Sequence, residues 1–285
     1  MQHLLDKIQF VIVLYNNSLQ NSESFRDITN SVKDITRSNQ YISLFIYDNS
    51  PKPQVVESSD LWDIEYFHDA NNSGLSLAYN VAAEYALNNR KEWLFILDQD
   101  TEFPKNTIEE YLRAIIDNPK IDMFAPILKV EDGTITSPYR YRLIGRKIAK
   151  QINLGAQSLF KTSPINSGLC ISIKTFFEAG GYNEKVKVDG ADFQFIERFR
   201  VLHKNYFVVN VTGYQNLSLF ETDINKLMVR YKIFLRDTSA SQKFRIVDYP
   251  ISFINVAYRT FRLFLKTKKI SIISTFFRNY IFVKN

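Results

Sequence analysis

Two aspartates one residue apart, Asp98 and Asp100, close the apolar run WLFILDQD at residues 93–100. An unpaired carboxylate is costly to bury, so both acids must lie where water, a cation or a ligand meets the end of a strand. At an ordinary pKa of about 3.9 both would be ionised at neutral pH. Hard oxygen donors in this arrangement suit Mg²⁺ or Mn²⁺, and few protein ligands suffice where phosphates complete the shell. Taken alone, the pair more often marks a solvated turn with helix-capping acids near Thr101. A second acidic segment, VDGADF, holds Asp189 and Asp192 three residues apart, one turn apart if the segment is helical. Either acid could cap the amphipathic helix that follows through Phe195 and Leu202.

The elements around these acids have a pattern. FVIVLYNN (10–17), SLFIYDNS (43–50), the weaker IEYFHDANN (64–72) and WLFILDQD are apolar runs that end in polar residues. Continuous apolar strands of this kind fit a parallel sheet covered on both faces. Phe25, Ile28, Val32 and Ile35 recur at helical spacing between the first two, as do Leu75, Ala78, Ala82 and Tyr85 between the last two. The order β-α-β-β-α-β predicts an α/β fold with a mostly parallel open sheet flanked by helices. Such sheets bind ligands beyond the carboxyl ends of their strands. Asn16, Asn17, Asp48, Asn49, Asp69, Asn72, Asp98 and Asp100 then form one polar rim, and four polar strand ends together favour a ligand cleft over unrelated turns. Downstream, NSGLCISI (166–173) is apolar, Gly180-Gly181 is a turn, NYFVVNVT is a strand and TDINKLMVRYKIFLRD is a helix.

Composition narrows the class. The chain has 285 residues, 45% hydrophobic, enough for one large α/β domain with an extension. The formal charge of +6 is uneven: from Lys243 onward nine Lys/Arg face the single acid Asp248, a local net of +8 that leaves −2 for the preceding residues. A nucleic-acid-binding domain therefore has little support. The expected division is a catalytic domain over 1–242 and a basic, aromatic-rich helical extension over 243–285. One cysteine, Cys170, excludes an intrachain disulfide and reads as a small core residue in a reducing compartment. The first residues lack the features of a signal peptide, and no apolar run is long enough to span a bilayer, so a cytoplasmic protein is expected.

The segments YNN, YDNS, NNSGLSLAYN, LDQDTEFP, NSGLCISI, GGYNEKVKVDGADF and RYKIFLRD occur, in this order, over roughly residues 9–240. As a set they resemble family 2 glycosyltransferases, in particular bacterial rhamnosyltransferases of cell-surface polysaccharide synthesis, where the metal motif is often DQD. The resemblance implies a GT-A fold, a nucleotide-sugar donor, a divalent cation and inversion at the anomeric carbon. It assigns Asp98 and Asp100 to the metal and diphosphate, with Asp100 the more direct ligand. Tyr15 and Asn17 match the loop that begins the nucleotide pocket, and Asp48 matches the residue that meets base or ribose. Asn72, Gly74, Ala78 and Asn80 match the loop and helix start covering the nucleotide. An ordinary turn glycine and an exposed helical amide are the plainer readings of Gly74 and Asn80. Asp192 aligns with the base that takes a proton from the acceptor hydroxyl, Asp189 with an acceptor contact or a cap, and Asn166 and Ser167 with the acceptor site. Arg230, Tyr231 and Arg236 match a region near the donor phosphates or acceptor, where a solvated basic helix face is the plainer reading.

This chain also departs from that pattern. Many relatives carry H-x-L-S after the strand corresponding to NYFVVNVT, and here the residues are Gln215-Asn216-Leu217-Ser218. Gln215 offers a neutral oxygen, a poorer ligand than imidazole. The cation is then held more loosely, or Gln215 contacts the diphosphate, or activity is weakened. His203 and His68 read as surface and rim residues.

The tail mixes aromatic and β-branched residues with cations, which suits an amphipathic membrane contact or packing against protein. The membrane reading, at the inner face of the cell membrane, gains from the resemblance because polysaccharide acceptors are often lipid-linked. The expected reaction is transfer of a sugar, with dTDP-rhamnose as the best single donor, to a glycan or lipid-linked glycan. UDP-hexose or galactofuranose donors stay open, as does a degenerate, non-catalytic binding subunit. A sugar-phosphate nucleotidyltransferase is disfavoured because LYNNSLQNS has no glycine for a phosphate loop.

Overall fold

The computed structural model describes residues 1–36, 40–141, 146–215 and 223–282; Asn216, Leu217, Ser218 and Lys284, named above, lie outside them. After a short α1 (Gln2–Leu5) the chain runs β1 (Ile8–Leu14), α2 (Glu23–Lys33), β2 (Ile42–Asp48), β3 (Trp62–His68), α3 (Leu75–Asn88) and β4 (Trp93–Asp98). This is the β-α-β-β-α-β order expected. All seven residues of β1 and of β2 are buried, because helices cover both faces there. β3 is the weaker strand for a physical reason: it lies at the sheet edge, where Trp62 alone is buried and half-buried residues alternate with exposed ones after it. Parallel pairing puts Val13 beside Asp98, Leu14 beside Asp48, and Asp48 beside His68. The carboxyl ends of four strands thus share one edge. Beyond it Asn16 and Asn72 turn the chain with positive φ, a conformation asparagine tolerates.

β5 (Thr101–Glu102), α4 (Thr107–Asp117) and β6 (Met123–Lys129) follow. Residues 135–163 form the short strands β7 (Ile135–Ser137), β8 (Tyr139–Tyr141), β9 (Arg146–Lys147), β10 (Gly155–Ser158) and β11 (Thr162–Ser163). β12 (Cys170–Ser172) enters antiparallel between β4 and β6, followed by α5 (Ile173–Glu178), α6 (Ala191–Leu202) and β13 (Asn205–Gln215). The large sheet runs β10-β13-β6-β12-β4-β1-β2-β3. β13 lies parallel to β6, and its far end pairs antiparallel with β5, setting Gln215 opposite Thr101.

Two apolar clusters cover the sheet. One joins Phe10, Phe95 and Tyr111 with α2 and α4; the other joins Tyr79, Tyr182 and Phe195 with α3, α5 and α6. Burial of a side chain such as Phe95 contributes about 1.5–3 kcal/mol. Cys170 lies in the first cluster, fully buried. A third cluster is built by α7 (Ile224–Ala240), α8 (Asp248–Thr267) and α9 (Ile270–Phe276), through Tyr231, Leu235, Val256, Ile272 and Phe276. The Tyr231 hydroxyl and Thr260 are 2.6 Å apart within it. Tyr231 is therefore a core residue of the C-terminal helices and not the ligand contact expected for it.

Candidate active site

Asp98 ends β4 and Asp100 lies two residues on, where the strand breaks toward β5. Burial first, then the neighbouring charges of Asp100 and Asp192, push the Asp98 carboxyl up to about 7. The Tyr79 hydroxyl, donating to Asp98 Oδ1 at 3.4 Å, works against that rise. Burial also raises the Asp100 carboxyl. Asp192, in the first turn of α6, is thus close enough to be felt by Asp98 although 94 residues separate them in the chain. Asp98 is in electrostatic reach both of Asp100, two residues on, and of Asp192, from a segment remote in the chain. Buried Tyr79 and Tyr182, with rings 5.1 Å apart, both feel the charges of Asp98 and Asp192, and Tyr182 stacks on Phe195 of α6 at 4.3 Å. Neither tyrosine stands out in the sequence except by adjacency to Asn80 and to Gly181.

The segment leading to Asp192 is stapled to α3. Leu75 N–H donates to Lys187 O at 2.7 Å, and Ser76 Oγ donates to Val186 O. Gly74 makes this approach possible, for at φ +103° a Cβ would sit 2.6 Å from Lys187 O. Asn80 is wholly committed to the same segment: Oδ1 accepts from Tyr182 N at 2.8 Å while Nδ2 donates to Tyr182 O and Glu184 Oε1. A Cβ on Gly181 would collide with that Asn80 oxygen at 2.8 Å. The nucleotide roles expected of Gly74 and Asn80 are thus replaced by structural ones, and only Asn72, exposed at φ +49°, remains at the rim. Ala78 is buried in the core beneath.

The first-strand rim is braced by Gln99, the middle residue of DQD. Its Oε1 accepts from Tyr15 N at 2.9 Å, and its own carbonyl accepts from Ser22 Oγ. This leaves the Tyr15 side chain exposed and Asn17 partly exposed at the edge. Asp48 corrects the expectation placed on it. It is fully buried, Oδ1 accepts from Ser50 N at 2.9 Å, and Oδ2 accepts from Gln54 Nε2 at 3.0 Å and Tyr66 Oη at 2.8 Å. Burial works to raise its pKa, yet these bonds from Ser50, Gln54 and Tyr66 prevail and hold it below the usual value. Asp48 organises the loop after β2 and has no lone pair turned to a base or ribose. His68 stays at the rim, 2.8 Å from Ser50 O.

Gln215, at the end of β13, faces Thr101 across the β13–β5 pair. Its Nε2 donates to Thr101 Oγ1 at 3.0 Å, and Thr101 Oγ1 lies 2.7 Å from Ser167 Oγ. Ser167 is completely buried in that link, so it does not line an acceptor site; Asn166, also buried, accepts from the Tyr182 hydroxyl at 2.6 Å. Gln215 Oε1 is buried without a hydrogen-bond partner among the described residues. His203 is no simple surface residue: it stacks on Phe199, with ring nitrogens 3.5 Å from Asp122 and 3.3 Å from Glu178. Asp189 turns away from the acids toward Arg259, at 3.6 Å, with Arg230 and Arg236 in electrostatic reach. Burial raises its carboxyl in spite of those cations.

Among the described residues no three His, Cys, Asp or Glu side chains gather into a closed metal site. Asp98 and Asp100 form an open pair of carboxylates, and Gln215, hydrogen-bonded to Thr101, the residue after Asp100, carries an unpaired oxygen. The carboxylate pair fits a cation whose remaining ligands are phosphate oxygens.

The family model described as glycosyl transferase family 2 matches residues 9–178. Among similar solved structures is the mannosyltransferase PcManGT from Pyrobaculum calidifontis, in complex with GDP-Man and Mn²⁺. It has TM-score 0.53 and 12% identity, over 94% of this chain and 73% of that one. Staphylococcal (S. aureus) TarS 1–349 with UDP-GlcNAc has TM-score 0.52 and 12% identity, over 94% and 78%. GalNAc-T7 with UDP, GalNAc and Mn²⁺ has TM-score 0.50 and 15% identity over 74% of this chain, which spans 44% of the length of GalNAc-T7. No curated protein matches the chain. At these identities the structural likeness establishes the GT-A fold, while the family match covers more than half of the sequence. The chain belongs to glycosyl transferase family 2.

Proposed function

We propose that this protein is an inverting, cation-dependent glycosyltransferase that moves one sugar from a nucleotide-sugar to a glycan acceptor. The observation that supports the reading is the placing of Asp98 and Asp100 at the end of β4, with Asp192 of α6 in electrostatic reach of Asp98. The Mn²⁺ of two fold neighbours supports a divalent cation here, Mg²⁺ or Mn²⁺. When bound, the cation offsets charge on the departing nucleoside diphosphate. Asp98 and Asp100 would hold it, with Gln215 as a further oxygen donor, and would so orient the diphosphate. Asp192 takes the proton of the acceptor hydroxyl as its oxygen bonds to the anomeric carbon, and the bond from that carbon to the phosphate oxygen breaks with its electron pair leaving on the diphosphate. Attack from the side opposite the leaving group inverts the configuration. Tyr15, Asn17 and Asn72 stand where the nucleoside would lie.

The donor we favour is dTDP-rhamnose, on the DQD motif, with UDP-hexose and UDP-galactofuranose as the next candidates. A donor-hydrolysis screen across nucleotide sugars with Mn²⁺ tests this: rhamnose-specific release of dTDP is expected, and release from UDP-hexoses alone would redirect the assignment.

A lipid-linked acceptor at an anionic membrane face fits the C-terminal helices. Inward, α8 packs Val256, Leu263 and Phe264 into the third cluster. Outward, Ile254, Tyr258, Phe261 and Leu265 form a second apolar stripe, each 45–62% exposed, with Arg262 and Lys266 alongside. Among the described residues no helix is long and apolar enough to cross a membrane, so this contact is interfacial. Each cation near an anionic surface adds about 1 kcal/mol. Full-length protein should float with phosphatidylglycerol vesicles, and Phe261→Glu/Leu265→Glu should not. Equal flotation of the two, or dimerisation lost in the variant without any vesicle binding by the native chain, would overturn the membrane reading.

A further inference from the structure

Asp237 lies on α7, in the C-terminal helices, and is fully buried. One oxygen, Oδ2, accepts from two successive backbone groups, Val188 N and Asp189 N, both at 2.9 Å. The other, Oδ1, accepts from Arg236 Nε at 2.9 Å and Nη2 at 2.8 Å. The two clamped amides stand directly before Gly190, whose φ of +83° starts α6, and Asp192 lies in the first turn of that helix. We infer that Asp237 is a positioning residue, which fixes from α7 the loop that presents Asp192 to the acceptor hydroxyl. This deepens the glycosyltransfer reading and rests on it.

The loop is held from two sides with different consequences. On the α3 side the staples fall at Tyr182, Val186 and Lys187, five or more residues before Asp192. On the α7 side they fall at Asn183, whose Nδ2 donates to Ala240 O at 3.2 Å, and at residues 188–189. Of these two sides, α7 is the one that acts on the last residues before Gly190, through Asp237. α8 adds a second hold on the same place, because Arg259 is seated over the Phe234 ring at 3.9 Å and faces Asp189 at 3.6 Å. A charge-assisted bond to a buried carboxylate is among the stronger hydrogen bonds, and here two converge on one oxygen. Losing them frees the loop by the small displacement to which proton transfer is sensitive. Misplacement of about 1 Å costs roughly a hundredfold in rate.

The test compares Asp237→Ala and Asp237→Asn with the native protein. Amide hydrogen exchange at Val188 and Asp189 needs no substrate and so tests the clamp apart from the assigned reaction. Both amides should be protected in the native chain and in Asp237→Asn, which keeps an acceptor oxygen, and unprotected in Asp237→Ala. Turnover of the nucleotide-sugar found by the donor screen should then fall roughly a hundredfold in kcat for Asp237→Ala, with donor KM and Mn²⁺-dependent nucleotide affinity within about twofold. Asp237→Asn should recover most of the rate. Unchanged protection or unchanged kcat in folded Asp237→Ala would overturn the inference, as would an equal loss of kcat and nucleotide affinity. If Asp237→Ala does not fold, Arg236→Ala decides: it leaves both backbone bonds in place, and a hundredfold loss of kcat with the amides still protected would assign the effect to charge and overturn the clamp.

Discussion

Gln215 sits directly opposite Thr101 in the β13–β5 pair and donates to its hydroxyl at 3.0 Å, which leaves Gln215 Oε1 buried without a hydrogen-bond partner among the described residues. A buried polar atom left unpaired costs stability, on the order of 1–3 kcal/mol, unless a ligand meets it. Gln215→Ala is expected to weaken Mn²⁺-dependent nucleotide binding by about tenfold or more, and Gln215→His to restore it. Calorimetric titration of nucleoside diphosphate with and without Mn²⁺ checks this; unaltered binding by Gln215→Ala would remove Gln215 from the cation site.

Asp98 should be destabilising in the absence of a cation, because burial and the charges of Asp100 and Asp192 all disfavour its ionised form. Asp98→Asn should therefore raise the melting temperature of the cation-free protein by a few degrees, for about 1 kcal/mol, while lowering activity. Thermal unfolding in chelator and a turnover assay on the same preparation give both halves. A fall in melting temperature would contradict the electrostatic account.

Asp48 should show the opposite sign. Its folded pKa lies below the ordinary 3.8, so the folded state binds fewer protons than the unfolded one near that pH. The stability it contributes is complete above 3.8 and is lost as pH falls through the folded value. Asp48→Asn should be less stable than the native chain by about 2 kcal/mol at neutral pH, with the gap shrinking below 3.8. Urea unfolding across a pH series measures it; a gap independent of pH would show that Asp48 is held by shape alone.

Gly74→Ala places a Cβ 2.6 Å from Lys187 O at a φ that side chains rarely adopt. A cost of about 3 kcal/mol is expected, with activity lost along with it because the 186–189 segment moves. Retained stability and retained turnover together would mean that α3 does not hold that segment.

The sheet and its rim were readable because an apolar run ending in carboxylates has few physical solutions, and four such runs in β-α-β-β-α-β order have fewer. Asp98, Asp100 and Asp192 could be singled out on residue type and order. Asp48, Asn80 and Ser167 could not be placed the same way, because their part depends on which lone pairs are already taken. The donors and acceptors that take them, Gln54 and Tyr66, Tyr182, and Thr101, are set by tertiary contacts. Asp237 was invisible for the same reason: beside Arg236 it looks like one charge of a solvated helix, and only the approach of residues 188–189 shows its use. The tail posed a choice between packing on protein and facing lipid; α8 packs one apolar face into the third cluster and leaves a second apolar stripe exposed.

The most direct test of the central claim separates binding from chemistry in Asp100→Ala and Asp192→Asn, using Mn²⁺-dependent nucleotide titration and donor turnover on each. Asp192→Asn should bind nucleotide with Mn²⁺ as the native chain does and lose turnover by about 10²–10⁴-fold, while Asp100→Ala loses the Mn²⁺-dependent part of binding as well. Full turnover by Asp192→Asn, or native nucleotide binding that is indifferent to the cation, would contradict the account.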